Sequence, residues 1–138
     1  MGAWGELAFD NDTAHDWAYE LDEVDDLSVV EAAFEELETV GNDYLDQDVA
    51  CDALAACEVL ARLLGNFGYQ NAYTENVDNW VKAHPLEPPP ALLKRARDAI
   101  ARILAGKSEL RDFWDEEDGA AWRKTVEDLS QRLTREAR

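Results

Sequence analysis

Asp10, Asn11, Asp12, His15 and Asp16 place three carboxylates, an amide and an imidazole within seven residues, groups that can hold a cation or move protons. The same residues suit a helix start. Asn11 or Asp12 can cap the first turn, acids there complement the helix dipole, and Trp4, Phe9 and Trp17 can anchor the terminus to a core. The structural reading is the one adopted. A calcium loop fails on spacing: counted from Asp10, the sixth position is His15 where the turn needs glycine, and the twelfth is Leu21 where a bidentate Glu is needed.

Other chemistries find little support. His15 and His84 are the only histidines, and neither a Cys-x-x-Cys nor a His-x-x-x-His spacing occurs, so no metal and no cofactor is expected. The glycines stand singly rather than in a phosphate-binding loop, and none of the three serines sits in a nucleophile elbow. With 31 acidic residues in 138, paired carboxylates arise in almost any fold and carry no information. No catalytic residue is assigned.

Charge is the distinctive property. The first 61 residues hold eighteen acids and no lysine or arginine, the first base being Arg62, whereas the remaining 77 hold thirteen of each. The net charge of -18 therefore resides in the first half. Glu20, Asp22, Glu23, Asp25 and Asp26 cluster at the end of the first predicted helix, and Glu31, Glu35 and Glu38 line the second beside Glu36. Such a surface repels phosphates and anionic membranes and attracts basic proteins. These eight residues form the expected partner-binding face, partly neutralised by Arg95, Arg97 or Arg102. Adaptation of a whole organism to salt would spread the acids evenly, unlike the balanced second half.

The elements that must carry this face are helical. Ala14, Trp17, Ala18, Leu21 and Val24 form an apolar stripe over residues 12–24. Ser28 and Glu31 predict a capping box, followed by Val30, Phe34, Leu37 and Val40 and a stop at Gly41. Residues 48–64 are apolar almost all round, with a thin polar edge at Asp52, Glu58 and Arg62, which marks a helix at the centre of a bundle. Further helices are expected over 74–83, 91–105, 108–114 and 119–135. The fourth stops before Pro85, and Pro90 can occupy the fifth's first turn.

No run alternates with period two. The prediction is an all-α, single-domain bundle over residues 1–138, with about seven short to medium helices around a central apolar one. Trp17, Trp80, Trp114 and Trp122 fall on apolar stripes and read as core. Cys51 and Cys57, six apart on one helix, point about 240° from each other and cannot bridge within it. Both read as buried thiols of a reducing cytoplasm. No signal segment and no long apolar run is present, so neither secretion by that route nor membrane insertion is expected.

The opening Met1-Gly2-Ala3-Trp4-Gly5, then Phe9-Asp10-Asn11-Asp12 and residues 14–17, resembles an uncharacterised bacterial family, domain of unknown function 4259. The resemblance continues through Asp43-Tyr44-Leu45, the alanine-rich segment to Leu64, Trp80 ahead of His84-Pro85, Ala91-Leu92, Ser108-Glu109-Leu110 with Trp114, and Ala121-Trp122-Arg123. It implies a bacterial, cytoplasmic setting and no particular activity. His84 departs from the family pattern, which more usually has Asn there, and this argues against a catalytic role for it.

The functional expectation is a non-enzymatic binding module, immunity- or inhibitor-like or an adaptor, that engages a basic protein through its acidic half. Two alternatives accompany it. One is an enzyme or a metal- or small-ligand-binding protein using the 10–16 segment, and the other is a nucleic-acid mimic.

Overall fold

The structure is a computed structural model that describes residues 7–116 and 119–134. Among the described residues seven helices follow in order: α1 Asp12–Leu21, α2 Ser28–Val40, α3 Gln47–Leu63, α4 Glu75–Ala83, α5 Pro90–Leu104, α6 Glu109–Asp115 and α7 Ala120–Arg132. Among the described residues there is no strand, and a parallel bridge pins the loop before α3 to the loop before α6. In it Leu45 N donates to Lys107 O (2.8 Å) and Glu109 N to Leu45 O (2.9 Å). The fold is an all-α single domain.

Helix α3 packs against every other helix. It can do so because Ala50, Ala53, Ala55, Ala56 and Ala61 keep its surface low on all sides, and all five are buried. Phe9, Phe34, Leu21, Leu93 and Ile103 of the surrounding elements are fully buried with it. Trp17, Trp80 and Trp122 are buried as their stripes require, while Trp114 is half-buried and stacks on Trp122 with ring centroids 6.3 Å apart.

Two helix starts and ends depart from expectation for identifiable reasons. Helix α1 stops at Leu21 rather than continuing to residue 24. Asp22, Glu23, Asp25 and Asp26 would lie at its negative end, and the Val24 carbonyl instead accepts from Trp80 Nε1 (3.0 Å). The capping box at Ser28 does not form either, because Ser28 is already helical. Asp26 takes the capping role. Its Oδ1 accepts from both Ser28 N (3.1 Å) and Ser28 Oγ (2.7 Å), and these bonds, the hydroxyl one foremost, hold its carboxyl below the usual range.

The polar edge expected on α3 is not an edge. Glu58 and Arg62 are each only 1% exposed and belong to a buried ion network with Asp78 of α4 and Arg132 of α7. Arg62 Nη1 donates to Glu58 Oε1, its Nε donates to Asp78 Oδ1 (2.7 Å), and its Nη2 donates to Tyr69 O (2.6 Å). Arg132 Nη2 completes the network on Glu58 Oε2 (3.0 Å). Two acids and two bases thus cancel in charge, and the network joins α3, α4, α7 and the loop after α3.

Gly68 in that loop is glycine for reasons of space. A Cβ built on it would lie 2.4 Å from Cζ of Arg132. Arg132 cannot swing aside freely, since it is held by Glu58, Asp128 and the Asn66 carbonyl. Gly68→Ala is expected to lower stability by about 1–2 kcal/mol, the range for disturbing a buried charged hydrogen bond. Urea denaturation of the variant measures it, and a loss below about 0.5 kcal/mol would show that Arg132 is not fixed there.

Candidate functional site

The 10–16 segment is consumed largely by its own turn. Asn11 caps α1, its Oδ1 accepting from Ala14 N (2.7 Å) while its Nδ2 donates to Ala8 O (3.0 Å). Asp10 Oδ2 accepts from Leu7 N (3.2 Å). His15 Nε2 lies 2.8 Å from Phe9 O, and Phe9 itself is fully buried with its N–H donating to the Tyr69 hydroxyl (3.3 Å). Asp12 and Asp16 face solvent. Trp4 lies outside the described residues. Among the described residues no group of three or more His, Cys, Asp or Glu is placed to hold a metal ion.

A small, partly open cavity lies between the Leu7–Asn11 turn and α3, α6 and α7, bordered by Asn11, Cys51, Glu58, Trp114, Trp122 and Thr125. At about 20 Å³ it has room for a single water molecule rather than a substrate. Neither Asp12, His15 nor Asp16 reaches it. Its thiol is inert, because burial and then the charge of Asp48 push Cys51 up to about 12. Cys57 is fully buried, and burial raises its thiol too.

The eight acids of the expected partner face are all exposed: Glu20, Asp22, Glu23, Asp25, Asp26, Glu31, Glu35 and Glu38. They do not form one uniform surface. Glu38 is closed by Arg95 of α5 in a bidentate pair, both bonds 2.9 Å. Arg97 and Arg102 leave the acids alone and bond carbonyls instead: Arg97 donates to Leu133 O, and Arg102 to Gly41 O, Asp43 O, Gly106 O and Lys107 O. Asp25 meets His84 Nε2 at 3.0 Å, and His84 Nδ1 lies 2.9 Å from Trp80 O. The Trp80 carbonyl, then Asp25, raise the His84 pKa, so its role is to clamp the α1–α2 loop to α4.

Around Asp52, acids from three helices act on one carboxyl. Asp16 and Glu20 of α1, Glu36 of α2 and Asp48 of α3 surround Asp52, which is half-buried on α3. Burial, followed by the like charges of Glu36, Glu20, Asp48 and Asp16, pushes the Asp52 carboxyl up to about 7. Sequence periodicity placed Asp52 on a polar edge but gave no means of knowing that three helices bring carboxylates to it.

These features define a small all-helical domain whose interior charges are structural and whose distinctive exposed feature is acidic. The chain belongs to the family described as a domain of unknown function, DUF4259, which matches residues 2–125. No curated protein and no solved structure matches it. No helix among the described residues is long and apolar enough to cross a membrane.

Proposed function

We propose that the protein works by binding a basic protein, using the carboxylates that α1 and α2 present, as an inhibitor or adaptor rather than as an enzyme. The observation that supports this most is the crowding around Asp52. The four charged groups that act on that carboxyl most strongly, Glu36, Glu20, Asp48 and Asp16, are all carboxylates, and they come from three helices. Such a field is unfavourable to the folded chain and is relieved by an external cation. It also steers a basic partner and repels an acidic one.

Within the proposed face, Asp25, Asp26 and Glu38 are engaged by His84, Ser28 and Arg95. Glu20, Asp22, Glu23, Glu31 and Glu35 are therefore the residues to test. Capture from native lysate at low salt is expected to yield one dominant basic protein that a salt step releases. The variant carrying Glu20→Gln, Asp22→Asn, Glu23→Gln, Glu31→Gln and Glu35→Gln is expected to lose about tenfold or more in retention, given the weight of complementary charge in association. Unchanged retention by that variant would remove the acidic face from the function.

A further inference from the structure

Three large apolar side chains stand out in solvent among the described residues: Tyr19, Tyr44 and Tyr73, at 66%, 55% and 49% exposure. Two of them have work within the fold. The Tyr44 hydroxyl donates to Asp112 Oδ2 (2.9 Å), which raises its pKa and ties the loop before α3 to α6. Tyr73 lies against His15, ring centroids 5.5 Å apart. Tyr19 is the most exposed of the three, and nothing in the core requires it, since the buried face of α1 is Ala14, Trp17, Ala18 and Leu21.

The helix geometry fixes its neighbours. His15 stands at i−4 and Asp16 at i−3 on α1, and Asp22, the C-cap whose N–H still bonds Ala18 O, stands at i+3, positions that adjoin a side chain on a helix surface; Glu23 follows beyond the helix end. An open aromatic ring thus has two exposed carboxylates, Asp16 and Asp22, at adjoining positions, with the His15–Tyr73 pair beyond.

Resting on the binding function proposed above, we infer that Tyr19, with Asp16 and Asp22, receives an arginine side chain of the protein partner. A guanidinium suits this place better than an ammonium does. It is planar, weakly hydrated and stacks on an aromatic face while its N–H fork is taken by carboxylates, whereas an ammonium is compact and strongly hydrated. Acidity alone attracts lysine and arginine alike; the tyrosine supplies the distinction. The partner's contact surface is accordingly arginine-bearing.

Oligoarginine and oligolysine peptides of equal length, titrated calorimetrically at matched salt, test this. Wild-type protein is expected to bind oligoarginine more tightly by about threefold or more, the scale of an exposed cation–π contact. Tyr19→Leu is expected to abolish that preference and leave the salt dependence unchanged, and Tyr19→Phe to retain it. Because the ring is exposed, circular dichroism should show both variants folded. Equal affinity for the two peptides in the wild type, or a preference that survives Tyr19→Leu, would overturn the inference while leaving the acidic face intact. If the variant with Glu20, Asp22, Glu23, Glu31 and Glu35 neutralised binds both peptides as the wild type does, the acidic face itself fails.

Discussion

Arg62→Met is expected to destabilise the protein by about 3–5 kcal/mol, the range for removing one partner of a buried ion pair. Methionine roughly preserves the stem that packs among α3's neighbours, so the loss reflects charge rather than volume. Without the guanidinium, Asp78 keeps only Thr74 Oγ1 (2.7 Å) and Gln70 Nε2 (3.4 Å) as partners, and the Tyr69 carbonyl loses its donor. Glu58 fares better, since Arg132 still reaches both of its oxygens. The orphaned charge is thus specifically Asp78, 4% exposed. Adding Asp78→Asn to Arg62→Met should recover part of the loss, so the double variant unfolds at higher denaturant than the sum of the single changes requires. Guanidinium denaturation of wild type, both single variants and the double variant measures this. Strict additivity would show that the two residues are not coupled. Domains of this size carry a total stability of about 5–15 kcal/mol, so Arg62→Met consumes a large part of it.

That network shows where the sequence was legible and where it was not. A glutamate four residues ahead of an arginine on a helix reads as a solvated surface pair, because that spacing stabilises exposed helices. The partners that bury this pair, Asp78 and Arg132, are 16 residues from Arg62 and 74 from Glu58, and no local pattern joins them. A signal did exist. A helix apolar on nearly every face must be surrounded, so its few charges have no outlet to water and require counter-charges from the helices around it. Local signals fared better because their physics is local: Pro90 starts α5, the Ser108 side chain caps α6, and the stripe through Trp122, Val126 and Leu129 places α7. Ser28 misled because Asp26, two residues earlier, offers a charged acceptor that outcompetes the hydroxyl at the helix start. At the 10–16 segment, Asn11 met the capping expectation, while the convergence of acids on Asp52 depends on how α1, α2 and α3 pack and is invisible along the chain.

Asp52→Asn is expected to stabilise the protein at pH 8 and to leave it almost unchanged at pH 4. A free aspartate carboxyl titrates near 3.8 and the folded one is pushed up to about 7, so between those limits the folded chain holds a proton that the unfolded chain has released. Stability then falls as pH rises through that window, and the full penalty is present above pH 7. Because Asp52 is partly open to water, screening reduces the effect well below the full shift, to about 1 kcal/mol. Asparagine keeps the shape and removes the charge, so its benefit appears only where aspartate would be ionised. Thermal melts of both proteins at pH 4, 6 and 8 should therefore diverge upward with pH, and added salt should narrow the gap by screening Glu36, Glu20, Asp48 and Asp16. Parallel curves at all three pH values would mean that the carboxylates of α1, α2 and α3 do not crowd one another. The same substitution bears on binding. A carboxyl crowded by like charges is one whose ionised form an external cation stabilises, so on the binding proposed above Asp52→Asn should weaken retention of a basic partner.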